Sequence, residues 1–296
     1  MSTMTMVAET RRASSASFTG FSASALDFLK ELESHNDRNW FRQHGSDYRR
    51  LITEPACALI TSLAPLLSSK LGAQLRVEPR PGGSLLRPQR DARFTPQTPY
   101  RPYLELWFWE GEGPSRLHPG YFLRVAPTAN WMGAGLRSFP PETLAAYRRA
   151  VDEPNCGLEL ARLLRRLEGR GWQVDGPNLS RVPTPYPQDH ERAGLLRHTG
   201  LVVQSSDLLA EALFVPELPI QLVEAYRSLK PLHRWLVNLQ ARTVVPPPSV
   251  CDSRELVGSD EIAREASTRL QSPAPLAVTT ARTPRNSSRT PAALET

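Results

Sequence analysis

Leu104-Glu105-Leu106-Trp107-Phe108-Trp109 is the stretch on which the fold turns. A short apolar run rich in aromatics reads as a β-strand. Alternation puts Leu104, Leu106 and Phe108 on one face, and Tyr103, Glu105, Trp107 and Trp109 on the other. Both faces are largely apolar, which suits a sheet covered on both sides. Downstream, Gly111-Glu112-Gly113-Pro114 is turn chemistry and Tyr121 to Val125 reads as a second strand. Pro127 to Asn130 turns the chain again, and Trp131 to Leu136 returns as a third strand. Connections this short favour antiparallel pairing.

Helical periodicity lies on either side. Upstream, Ala25, Phe28, Leu29 and Leu32 mark one face of a helix over 24–34, with Ser24 and Asp27 spaced as a capping box. Asn36-Asp37 breaks that helix and can cap the next, which carries Trp40 and Phe41. Pro55 suits the first turn of a helix through Leu71, kinked at Pro65. Downstream, Pro140-Pro141 opens two helical stretches through Leu167, ended by Gly169 and Gly171. Residues 175–188 are Pro-rich without a clear element, 189–197 reads as a helix, and 201–204 as a short strand. A final helix over 219–239 contains Pro231. The sum is an α+β fold: an antiparallel sheet of about four to five strands flanked by N-terminal and C-terminal helices.

The composition sets limits. Of 296 residues, 40% are hydrophobic and 22% charged, with 28 prolines against 17 glycines, so part of the chain is expected to lie outside the packed domain. Residues 1–17 read as a disordered leader, 18–241 as one domain, and 242–296 as a disordered Pro/Ser/Thr-rich tail that buries too little apolar surface to order itself. No run of 18 apolar residues is present, and no apolar stretch follows Arg11-Arg12, so neither a membrane span nor an export signal is expected. Cys57, Cys156 and Cys251 are far apart and form no Cys-x-x-Cys pair, which fits a reducing cytoplasm. No two of the six histidines stand at His-x-His or His-x-x-x-His spacing, so no preformed metal site is expected. Phosphate-loop, dinucleotide and nucleophile-elbow motifs are missing, and no cofactor can be named.

The net charge is +6, and only Lys30, Lys70 and Lys230 among 36 basic residues are lysines, a skew that base composition explains. The distribution of that charge is more informative. Residues 80–101 hold Arg80, Arg87, Arg90, Arg93 and Arg101 against Asp91 alone, a net +4. If 89–94 is extended, Gln89, Asp91 and Arg93 share one face and Arg90, Ala92 and Phe94 the other. Asp91 is then placed to orient one guanidinium and leave the other free. Arginine forks match phosphate or carboxylate oxygens in bidentate fashion. The bland reading is that these arginines pair with internal carboxylates and tie down a loop. Likewise Trp107 and Trp109 read either as core or as a stacking platform for bases, with core the commoner role. His118, in the turn before a strand, reads as a solvated turn residue or a proton donor. Asp189-His190-Glu191 invites a metal reading, but neighbours on a helix diverge, and a cap made by Asp189 is the simpler role.

Three blocks resemble an uncharacterised bacterial and fungal family known as domain of unknown function 2461. Asn36-Asp37-Arg38-Asn39-Trp40-Phe41 is similar to its Asn-x-Arg-x-Trp-Phe. Arg90 to Arg101 is similar to its Arg-Asp-x-Arg-Phe-Ser-x-Asp-Lys-Thr-Pro-Tyr-Lys. The third block runs from Pro119-Gly120-Tyr121-Phe122 through Gly133-Ala134-Gly135-Leu136. The resemblance spans about residues 18–241 and implies a single α+β domain, with no activity attached. The second block is one residue shorter here and lacks the Asp before Lys. Gln97 replaces that Lys, and Arg101 the closing one. If the family's first Lys is catalytic, this chain lacks the group; if it only adds charge, little changes.

The expected function is an anion site for a phosphate-bearing small ligand, built by Arg87, Arg90, Arg93 and Arg101, with Asp91 orienting them and Thr98 and Tyr100 adding hydroxyls. If chemistry follows binding, His118 and Asp91 are the acid–base candidates. The alternatives are a non-catalytic interaction module with a structural Arg motif, and a single-strand nucleic-acid binder, which is not favoured.

Overall fold

The computed structural model of the chain describes residues 17–72, 74–91, 93, 95, 97–206 and 211–243. The expected leader and tail lie outside these residues, save for Ser17, Arg242 and Thr243. Strands β1 (Leu104–Trp109), β2 (Gly120–Val125), β3 (Trp131–Leu136), β4 (Gln173–Val174) and β5 (Leu201–Ser205) form one sheet in the order β1-β2-β3-β5-β4. Every neighbouring pair is antiparallel. The two-residue β4 is too short to leave an alternation in the sequence.

Helices α1 (Ala23–Ser34), α2 (Arg38–Gln43), α3 (Gly45–Tyr48) and α4 (Glu54–Leu71) precede the sheet, with one π-turn over Arg49–Thr53. Helices α5 (Pro141–Asp152), α6 (Pro154–Glu168), α7 (Ala193–Leu196) and α8 (Leu218–Ala241) follow β3. The fold is therefore α+β. Asp37 caps α2, accepting from the Asn39 and Trp40 amides at 2.8 and 2.9 Å. The capping box expected at Ser24 does not form: α1 starts at Ala23, so Ser24 is already inside, and Ser22 makes no side-chain cap bond. Neither Pro65 nor Pro231 divides its helix.

One face of the sheet makes the main core. Leu106, Phe108, Tyr121, Leu123, Met132, Ala134 and Val203 pack there with Leu59, Ile60, Leu63 and Leu67 of α4 and Leu222, Tyr226, Leu229 and Leu236 of α8. Each fully buried aliphatic side chain contributes about 1.5–3 kcal/mol, so α8 holds the sheet and α4 packs against α8 in the same core. The Tyr226 hydroxyl adds a bond to the Phe122 carbonyl at 2.7 Å. The helical stretch Gly45–Leu71 is long and apolar enough to cross a bilayer, with mean hydropathy 1.5. Here, however, Leu59, Ile60, Leu63, Leu67 and Leu71 are fully buried in this core.

The segment after α4 returns along the outer edge of β1. Arg76 donates to the Trp109 carbonyl at 2.7 Å, Trp107 to that of Ser84 at 2.8 Å, and Leu86 to that of Glu105 at 2.9 Å. That edge is thereby covered. Between β4 and β5, the helix expected over 189–197 shrinks to Ala193–Leu196. The His190 ring takes the Arg192 amide at 2.9 Å, and such local side-chain bonds compete with helix. Asp189 caps nothing, since Arg192 holds the N-cap position of α7.

Candidate anion site

After Leu86 the chain leaves the β1 edge, and residues 88–90 pair with 99–101 as the two arms of a hairpin. Gln89 pairs with Tyr100, the Arg90 amide donates to Pro99 at 2.8 Å, and the Arg101 amide to Pro88 at 2.8 Å. The Arg101 guanidinium braces the same hairpin: its Nη1 donates to the carbonyls of Arg87 and Gln89 at 3.0 and 2.7 Å. The extended geometry expected over 89–94 holds at Gln89 and Arg90 and ends at Asp91. Asp91 accepts the Arg93 amide on Oδ1 at 3.1 Å, and Thr95 donates back to the Asp91 carbonyl at 3.2 Å. An Asp side chain that satisfies the backbone two residues on makes a turn instead of a strand. Positions 92 and 94, which complete the expected second face, lie outside the described residues.

Asp91 forks onto Arg93, with contacts of 3.0 Å to Nε and 2.6 Å to Nη2, and these bonds hold its carboxyl below the usual carboxylate range. Arg90 donates to Thr98 Oγ1 at 3.2 Å. Arg87 lies over Gly82, a glycine at φ +80 where a Cβ would stand 2.9 Å from the guanidinium Nε. Gln97, at the position of the family-like Lys, is exposed. The hairpin is anchored from the N-terminal helices. Asn36 donates to the Tyr100 carbonyl and accepts the Tyr100 amide, both at 2.9 Å. Phe41 stacks on the Tyr100 ring at 4.0 Å. Tyr100 is thus part of the frame.

His118 is not brought to this hairpin. Its ring packs against Gly111 and bonds the Glu112 carbonyl, beyond the Trp109 end of β1. The hairpin leaves at the opposite end, where Leu86 meets Glu105. His118 and Asp91 therefore share no site. Among the described residues, no three His, Cys, Asp or Glu side chains gather to hold a metal.

Arg124 and Arg137, which the sequence reading did not single out, join Glu105, Trp107 and Trp109 on the second face of the sheet. The register sets them in three rows. Glu105 stands opposite Arg124, which stands opposite Trp131. Trp107, Phe122, Gly133 and Gln204 align next, then Trp109, Gly120, Gly135 and Val202. Glu105, only 3% exposed, receives Arg124 at 3.1 Å and also pairs with Arg137. Arg137 comes six residues after Trp131, about 20 Å of extended strand. It lies just past the end of β3, where the chain bends, and its long side chain reaches back across the face to Glu105. The Arg137 guanidinium lies 5.2 Å from the Trp107 ring centre and 4.9 Å from that of Phe122. Burial pulls it below the ordinary arginine range, against the opposing pull of Glu105. One carboxylate among aromatics in 104–109 was the available signal; its partners depend on register, which the sequence does not display.

No curated protein and no solved structure matches this chain. A family model does, over residues 24–235, which include the helices that anchor the hairpin, the hairpin itself and all five strands. The chain belongs to the family of conserved hypothetical proteins DUF2461.

Proposed function

We propose that this chain binds a small phosphate-bearing molecule at the 87–101 hairpin, with Arg87, Arg90 and Arg93 as the anion's ligands. The observation that supports the reading is the pairing pattern. Of the four arginines, only Arg93 meets a carboxylate among the described residues; Arg90 meets a hydroxyl and Arg101 meets carbonyls. A purely structural motif would neutralise its charge internally. Here Asp91 fixes one fork beside guanidiniums that keep donors for an incoming oxyanion. Arg101 and Tyr100 hold the frame. The reading is of a soluble cytoplasmic protein that binds a small molecule. Nucleic acid is disfavoured because Trp107 and Trp109 are each 4% exposed and offer no ring face to a base.

Calorimetry with inorganic phosphate and a simple phosphate monoester tests this. Saturable binding in the low-millimolar range or tighter is expected, weakened about tenfold or more in the Arg87→Ala/Arg90→Ala double variant. A folded protein that shows no saturable heat, or a double variant that binds as well as the parent, would overturn it.

A further inference from the structure

The block Asn36 to Phe41 anchors the hairpin, and packing identifies two sides of its helix α2. Trp40 lies toward α1, its ring centre 5.5 Å from that of Phe28, whereas Phe41 stacks on Tyr100 of the hairpin at 4.0 Å. Arg38 stands three residues before Phe41, and residues three apart on a helix are neighbours on one side. It stands two before Trp40, a spacing that points two side chains apart. Arg38 therefore lies on the hairpin side of α2. The joint between Asn36 and Tyr100 also sets where Arg38 stands along the hairpin. Arg38 is two residues from Asn36, and Thr98, which accepts from the Arg90 guanidinium at 3.2 Å, is two residues from Tyr100. Each is at most about 7 Å of chain from that joint. Arg38 is exposed, and its guanidinium has no partner among the described residues. Arg42 on the same helix is tied to Asn39.

From this placement we propose that Arg38 is a further ligand of the hairpin's anion, and that it makes the site select a terminal phosphate monoester over a phosphodiester. The proposal rests on the reading of the hairpin as a phosphate site. Arg87 and Arg90 approach the anion from the hairpin and Arg38 from α2, so guanidiniums arrive from two sides. A phosphate monoester offers three non-bridging oxygens and a charge of about −1.5 to −2 near neutral pH. Three guanidiniums then have three oxygens to meet. A diester offers two such oxygens and a single negative charge, and leaves one guanidinium without its acceptor. The fixed fork of arginine is what makes that count decide the ligand.

The test is calorimetry of the full chain with phenyl phosphate and methyl phenyl phosphate, which differ by one methyl ester. The parent should bind the monoester about tenfold or more tighter than the diester. Arg38→Ala should weaken the monoester about tenfold and the diester by about twofold or less, so that the preference collapses. Arg42→Ala removes the same charge from the same helix and should cost the monoester about twofold or less. Arg38→Lys keeps the charge without the fork and should recover only part of the loss. Urea midpoints establish that each variant is folded; should Arg38→Ala unfold, Arg38→Gln takes its place. A parent without preference for the monoester would overturn the proposal. So would an Arg42→Ala loss as large as that of Arg38→Ala, which marks a long-range charge effect. Phosphate binding that is intact in the parent and unchanged in Arg38→Ala would overturn this proposal and leave the hairpin reading standing. A folded parent that binds neither probe nor inorganic phosphate would overturn both.

Discussion

The carboxamide of Asn36 grips both main-chain groups of Tyr100, 64 residues away, donating to the carbonyl and accepting the amide at 2.9 Å each. In effect, a side chain supplies the rung that a neighbouring strand would supply. It ties the loop between α1 and α2 to the arginine hairpin, and the Phe41–Tyr100 stack seals the joint. Asn36→Ala leaves two half-buried backbone groups unpaired and should cost about 1–3 kcal/mol. Urea unfolding measures this. The same variant should weaken phosphate binding if the hairpin is the site, because the arginines then lose their frame.

Glu105 is the second joint. It is nearly inaccessible and is shared by Arg124 and Arg137. Removing Glu105 leaves two guanidiniums unpaired, but these are 30% and 40% exposed, so Glu105→Ala should destabilise by about 1–3 kcal/mol, less than breaking a fully buried pair. Glu105→Gln keeps the shape and one acceptor, and should lose less. If the two variants unfold at the same urea concentration, charge compensation is not what Glu105 provides.

The sequence displayed the strands because β1, β2 and β3 are apolar runs bounded by turn residues, and it displayed the flanking helices through their periodicity. Other features depend on contacts between distant segments. Asn36 looked like a helix breaker; only the folded chain shows its bond to Tyr100. Asp91 looked like one position of an extended strand, but its side chain bonds the backbone locally and turns it. The Glu105, Arg124 and Arg137 cluster comes from two strands and the end of a third, and depends on their register, which leaves no periodic trace.

Gly133 tests the register. A Cβ there would collide with the Val203 carbonyl and lie 2.8 Å from the Phe122 ring. Gly133→Ala should therefore push β3 from β5 or displace Phe122, costing about 1–3 kcal/mol by overpacking. Thermal unfolding reads the loss. Gly113→Ala, where a Cβ meets nothing within 4 Å, is the control for the sheet contact, although its φ of +91 carries a turn penalty of its own.

His198 borders a depression of about 450 Å³ between α6 and the 174–198 segment, against Gly176. Burial lowers its affinity for a proton, only partly offset by its bond to Gly200. The unfolded chain therefore binds the proton more readily. The contribution is complete above the ordinary imidazole range and declines as pH falls through it toward the depressed value. His198→Gln should flatten the stability profile over that window, measured as urea midpoints between about pH 7 and pH 5. An unchanged slope would mean that the ring is hydrated.

A lower-pH limb should come from Glu110. Its Oε2 lies 3.0 Å from Nε2 of the fully buried His233, which joins the end of β1 to α8. The hydrogen bond to His233 is the main cause holding the Glu110 carboxyl below its usual range. The charges of His233 and Arg234 add to it, and partial burial opposes it. Tyr121 stacks on the His233 ring at 4.6 Å and completes the surroundings. A carboxyl with a depressed folded-state value gives its full stabilisation above the ordinary carboxylate range. That stabilisation is lost as pH falls through the depressed value. Glu110→Gln should therefore lower stability at neutral pH by about 1 kcal/mol, a modest figure because the carboxylate is partly open to solvent and screened. The variant and the parent should then converge as the pH falls below about 4. Parallel unfolding curves for the two proteins across this range would show that Glu110 titrates alike in the folded and unfolded chains, and that the bond to His233 does not couple α8 to the sheet.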